Sequence, residues 1–164
     1  MHLLGYDIGS SSVKAALVDA ATGITLATAQ HPEHEMDIVA LHPDWAEQDP
    51  ADWWDAACAA TKKLLEKNRV VPSDIAAVGI SYQMHGLVVV DKNGNVLRPS
   101  IIWCDSRAVS IGNEAFKALG EKYCLANYLN SAGNFTASKL RWVRENEPDI
   151  FSKIDKMMLP GDYL

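Results

Sequence analysis

Cysteine is scarce in this 164-residue chain, and what there is forms no pattern: Cys58, Cys104 and Cys124 are odd in number and make no CxxC. Neither a disulfide framework nor a thiolate zinc site is indicated, and a reducing, cytoplasmic setting is expected. Long apolar runs are missing too. Nothing approaches the ~20 residues of a membrane span, and the start, Met1-His2-Leu3, lacks the basic region of a secretory leader. Positive charge is in short supply: 15 Lys and Arg stand against 21 Asp and Glu, a formal charge of −6. That balance provides no electrostatic footprint for nucleic acid or an anionic membrane, so neither is expected as a partner, and any nucleotide phosphate must be gripped locally. A Walker loop, internal repeats and low-complexity linkers are likewise absent. With 48% hydrophobic residues, the length suits one domain, or part of one, with a real core.

What is present begins with Tyr6-Asp7-Ile8-Gly9-Ser10-Ser11-Ser12-Val13-Lys14. Leu3, Leu4, Tyr6 and Ile8 predict a strand, Gly9 a tight turn, and Val13 to Val18 a second strand. Ser10, Ser11 and Ser12 offer hydroxyls and backbone N–H groups in a concavity suited to an anion, with Asp7 at its edge as a hard ligand for a water-clad magnesium ion. A plain hairpin in which Asp7 accepts turn N–H bonds fits the same residues.

Thr22-Gly23 marks another turn, and Ile24 to Ala29 predicts a third strand closing a meander. A polar loop over 31–48 carries His31, His34 and His42, whose spacing matches no closed metal-ligand set. Asp49-Pro50 opens a helix running to about Asn68, whose periodicity predicts Trp54, Ala57, Cys58, Thr61, Leu64 and Leu65 as the buried stripe. Cys58 is then a core thiol. Ile75 to Ser81 reads as a strand buried on both faces and reached by a crossover. The order βββαβ is that of a ribonuclease-H-like or actin-like α/β domain. Beyond it, Asn93-Gly94 predicts a hairpin, 108–119 a helix, and 127–134 a loop. Thr136 is expected to cap a further helix, with Phe135 and Leu140 as its hydrophobic staple. A short helix around 149–153 and a strand over 156–159 end the reading.

Two further clusters could face a small polar ligand. Tyr82-Gln83-Met84-His85-Gly86 lies at the carboxyl end of the buried strand, where open α/β sheets build binding crevices. There His85 could bond a sugar hydroxyl, Met84 could pack on a carbon skeleton, and Gly86 would let the backbone come close; a structural histidine is the plainer alternative. In Trp103-x-Asp105-x-Arg107 the acid and base can pair to orient a loop while Trp103 offers a flat wall. A surface ion pair beside a core indole fits equally.

Together with Trp45-x-Glu47-Gln48-Asp49-Pro50-x-x-Trp53-Trp54, Phe135-Thr136-Ala137-x-Lys139-Leu140-x-Trp142 and Leu159-Pro160-x-Asp162-Tyr163-Leu164, these clusters occur in an order that resembles the amino-terminal part of an FGGY carbohydrate kinase over nearly the whole chain. Gln-Met-His-Gly points to the members acting on D-xylulose. The resemblance implies ATP-dependent transfer of the γ-phosphoryl group to a sugar hydroxyl, in which Asp7 holds magnesium through water and Gly9, Ser10, Ser11, Ser12 and Lys14 receive the phosphates. Met84, His85, Trp103, Asp105 and Arg107 then line the sugar site. It also implies that residues 1–164 form an incomplete actin-like domain, because the base and the adenine site of such kinases come from later chain; the 164 residues alone are expected to be inactive. Uncovered apolar surface, self-association and a possible homodimer are expected with it. Rival readings are a family member for ribulose, gluconate or glycerol, a sugar-binding module without catalysis, and a ribonuclease-H-like nuclease. The last needs further carboxylates that Tyr82-Gln83 does not supply.

Overall fold

The computed structural model describes residues Met1–Leu164. In chain order the elements are β1 (His2–Ile8), β2 (Val13–Asp19), β3 (Thr25–His31), β4 (Glu47–Gln48), α1 (Pro50–Asn68), β5 (Ile75–Tyr82), β6 (Val88–Val90), β7 (Ser100–Ile101), α2 (Val109–Leu119), α3 (Glu121–Tyr128), α4 (Thr136–Asn146), α5 (Pro148–Phe151), β8 (Lys156–Met158) and α6 (Pro160–Tyr163). They form two compact units: Met1–Asp37 with Pro50–Gln83 and Leu164, and Ile38–Asp49 with Met84–Tyr163.

The first unit is a four-stranded sheet in the order β3-β2-β1-β5. β1, β2 and β3 form the expected antiparallel meander, and β5 lies parallel to β1 after the α1 crossover, giving a mixed sheet with a βββαβ start. Period-two alternation decides which side is buried. Leu4, Ala15 and Leu17 meet Ala60 and Leu64 of α1, and Tyr6, Ala27 and Ala29 pack around them. Each buried leucine contributes about 1.5–3 kcal/mol. The Tyr6 hydroxyl lies 2.5 Å from the Thr61 hydroxyl, which itself donates to Ala57 O at 2.6 Å, so Tyr6 is the donor of the pair.

Two expectations fail here. The face of α1 that is buried carries Pro50, Trp53, Ala56, Ala60 and Leu64; of the predicted stripe only Leu64 lies on it, the rest being offset by about one residue, and Cys58 is exposed rather than in the core. The helix bears apolar residues on two adjacent arcs, and periodicity alone cannot say which one meets the sheet. β5 is not buried on both faces. As the edge strand it leaves Val78 57% and Ile80 43% exposed. Together with Tyr6, Ile8, Trp54, Ala57 and Cys58 these side chains line an apolar groove of about 460 Å³.

The second unit holds two short antiparallel pairs, β4 with β7 and β6 with β8. The predicted hairpin is present, with Gly94 at φ +84° and Val90 bridged to Val96. Its core gathers Leu87, Val89, Ile101 and Val143, with Leu140, Trp142, Ile150 and Phe151 against them. Thr136 is the first residue of α4 rather than its cap; Phe135 holds the capping position without a side-chain bond. Gly112 of α2 requires its missing side chain, because a Cβ there would come within 2.3 Å of the Gly133 backbone. α3 occupies part of the stretch expected as loop, and α6 follows the last strand where no helix was expected.

Candidate functional site

In the first unit the turn between β1 and β2 is closed on itself. Gly9 N donates to Ser12 O at 3.1 Å, and a Cβ on Gly9 would sit 3.0 Å from that same oxygen, so the glycine serves a close backbone approach. Ser11 O accepts from Met36 N at 2.8 Å, tying the turn to the chain after β3. Asp7 and Lys14 are cross-strand partners. Their side chains pair at 3.6 Å, and both are more than half exposed. An open concavity of about 690 Å³ is lined by Asp7, Lys14, Thr28, Gln30, Lys63 and Lys67 among others, and by none of the three serines. The structure thus gathers Asp7 and Lys14 and leaves Ser10, Ser11 and Ser12 outside that concavity. Nowhere do three His, Cys, Asp or Glu side chains converge as a metal-binding set. A lone, solvated carboxylate such as Asp7 fits magnesium that keeps its water shell and takes its other ligands from phosphate.

In the second unit Met84 is 64% exposed. His85 has φ +62°, the left-handed region that histidine enters more readily than most residues. Its ring stacks on Phe135, with centroids 4.8 Å apart and planes at 26°, while its carbonyl accepts from Lys139 Nζ at 2.9 Å. Burial, and then the Lys139 charge, hold the imidazole below its ordinary pKa. At neutral pH it is the neutral form, able to donate and to accept. Gly86 is not open to a ligand: a Cβ there would lie 2.6 Å from Pro160 Cγ, so the residue exists to let α6 approach. Trp103 is half exposed, not a core indole. Its carbonyl accepts from Asn134 Nδ2.

Asp105 and Arg107 are placed otherwise than a ligand wall requires. Their side chains are 0% and 1% exposed, paired at 2.7 Å, and Asp105 also accepts from Ala46 N at 2.6 Å. Arg107 continues to Glu47 at 2.7 Å, Glu47 to Arg98 at 2.5 Å, and Arg98 to Glu147 at 2.8 Å. The Arg107 guanidinium lies over the rings of Trp45 and Trp142, at 3.8 and 4.8 Å from their centroids. The pair is therefore neither on the surface nor in reach of a ligand; it braces the loop that carries Trp103. Lys139, fully buried on α4, stands near Asp105, Cys104 and Arg107, and burial pushes its pKa down to about 8. Sequence reasoning assigns no site role to Lys139 or Asn134, and to Phe135 only that of a staple. A lysine falling at helical spacing beside the inward Leu140 and Val143 is the signal that could have found the first.

A mixed sheet opening βββαβ, with a carboxylate on its first strand, defines an actin-like domain, and the solved carbohydrate kinases it matches share that architecture. The chain belongs to the FGGY family of carbohydrate kinases: the family's N-terminal domain matches residues 2–164. It is 37% identical to the xylulose kinase of Escherichia coli over 161 residues, 98% of this chain and 32% of that protein. The crystal structure of a protein described as a xyloylose kinase from Brucella ovis aligns with a TM-score of 0.88 and 39% identity, over 99% of this chain and 33% of that one. A gluconate kinase from Lactobacillus acidophilus aligns over 99% of this chain and 32% of its own, with a TM-score of 0.81 at 23% identity, which speaks to the fold alone. The chain spans about a third of the length of the curated relatives it matches. No helix is long and apolar enough to cross a membrane.

Proposed function

We infer that this chain is the amino-terminal actin-like domain of an ATP-dependent sugar kinase that phosphorylates D-xylulose to D-xylulose 5-phosphate. The observation that carries this reading is the Met84-His85 turn: an exposed thioether beside a neutral imidazole, held in a left-handed conformation, on a chain similar to xylulose kinases throughout. A ketose offers a carbon skeleton and hydroxyls, which such a pair can pack against and bond. Trp103, half exposed and braced from below by Asp105 and Arg107, supports the same site as an apolar wall.

In this reading Asp7 holds magnesium through water, the cation supplying charge neutralisation for the transferred phosphoryl group when bound. Lys14, Lys63 and Lys67 around the same concavity suit polyphosphate by charge. The pairing of Asp7 with Lys14 at 3.6 Å would have to loosen as the nucleotide enters. None of the residues described is a general base for the hydroxyl. The base, the adenine site and a second actin-like domain are expected beyond residue 164, and the chain by itself is expected to be inactive.

The test is a sugar panel with the protein at its full natural length. D-Xylulose should give the highest kcat/KM. Preference for ribulose, gluconate or glycerol would keep the family and replace the substrate. The 164-residue chain alone should show no sugar-dependent ATP turnover; measurable turnover would overturn that part.

A further inference from the structure

One helix start holds residue 85 at both ends. Phe135, at the cap of α4, stacks on the His85 ring at 4.8 Å. One turn on, Lys139 Nζ donates to His85 O at 2.9 Å and to Asn134 O at 3.2 Å. Asn134 donates in turn to Trp103 O. Lys139 thus joins the two pieces assigned to the sugar, yet its side chain is wholly buried and touches no solvent. An amine there must be oriented by what surrounds it. Asp105 favours its charged form, while desolvation and Arg107 oppose it. A left-handed non-glycine residue is a strained conformation that persists only when its surroundings enforce it. Among the contacts of His85, a charge-assisted bond to the carbonyl is the strongest available restraint.

We propose that Lys139 is a positioning residue: its buried ammonium grips the His85 carbonyl, and so fixes the left-handed turn that presents the imidazole to the sugar. The proposal rests on the sugar reading above for its consequence, but its geometry does not depend on it. Deprotonation leaves a neutral amine with weaker bonds to both carbonyls, so the grip loosens as pH rises through about 8. The charged and titratable groups facing Lys139 are Asp105, Arg107 and Cys104 from the loop after β7, with His85 opposite.

Two measurements test it. In the full-length protein, Lys139→Met should raise the KM for D-xylulose by at least about tenfold, with the KM for ATP within about twofold and kcat less affected. By proton NMR of the 164-residue chain, the His85 ring resonance, assigned by its loss in His85→Gln, should show a second inflection near pH 8 that reports Lys139. The titration is read on the wild-type chain and does not use Lys139→Met, so it stands even if that variant does not fold. A single inflection in wild type, or an unchanged ketose KM in a folded variant, would overturn the proposal. If the wild-type full-length protein turns over no ketose, the substrate reading falls, while the histidine titration still decides separately whether Lys139 grips the turn.

Discussion

The two units use charge in opposite ways. In the sheet unit the chemically interesting pair, Asp7 and Lys14, sits in water at 3.6 Å, more than half exposed on both sides. In the other unit Glu47, Arg98, Asp105, Arg107 and Lys139 all have buried side chains, the first four linked through short ion pairs. Exposed charges are free to exchange partners for a ligand; buried ones are committed to the fold. Lone acid–base pairs in the sequence look alike in both units, and only burial separates a pair left open to a ligand from a pair enclosed in the fold.

The largest effect should come from breaking the buried network. Asp105→Ala leaves Lys139 without its carboxylate and Arg107 with Glu47 alone, and should lower the unfolding free energy by about 3–5 kcal/mol, measured by urea denaturation; a loss under ~1 kcal/mol would erase the contrast between the units.

Next comes pH. The unfolded chain keeps a proton on Lys139 up to its ordinary pKa of 10.5, the folded one only to about 8. Between those values the unfolded state binds more protons, so stability rises with pH, and the penalty of burying the ammonium is fully present below 8. Relative to Lys139→Met, wild type should therefore gain on the order of 3 kcal/mol between about pH 8 and 10.5. A flat difference across that window would contradict the buried charge.

Asp7→Asn sharpens the other side. Its pair is exposed, so stability should shift by less than ~1 kcal/mol, while magnesium-dependent phosphoryl transfer by the full-length protein should fall at least about tenfold. Equal losses of stability from Asp7→Asn and Asp105→Ala would show that the surface pair also braces the fold. Smallest of all, Ile80→Glu on the open groove should cost under about 1 kcal/mol, yet reduce self-association seen by light scattering at high concentration. Unchanged scattering would remove that groove as an association surface.

Much of this architecture is legible in the residues. The meander, the α1 crossover and the parallel β5 follow from alternation, turn chemistry and the Asp49-Pro50 start, because those signals are local. What escapes is non-local. Adjacent Trp53 and Trp54 satisfy the helical period equally well, yet Trp53 is buried and Trp54 exposed, because neighbours outside the helix decide which is covered. β5 reads as doubly buried because Val78 and Ile80 are apolar, but burial depends on neighbours that a strand's own letters do not contain. Of the residues proposed for the sugar, Met84, His85 and Trp103 stand out by type and place. Asp105 and Arg107 read as a wall only because their other partners lie far off in sequence: Glu47 is more than fifty residues from both Arg98 and Arg107. The helical spacing of Lys139 could have flagged it as buried, but not what it holds, because its contacts are to backbone carbonyls, which every residue has.

The charge cluster has a bearing on how this region can change over generations. With Glu147 it counts three cations and three anions drawn from five separate stretches of chain. Losing Arg98 leaves Glu147 without its cation, and losing Asp105 takes the carboxylate from Lys139, so neutral drift one letter at a time is hindered there. Variants that succeed should arrive as matched sets, or as wholesale exchange for oily side chains of similar bulk. Residues 47, 98, 105, 107, 139 and 147 are thus best treated by a protein engineer as one indivisible choice.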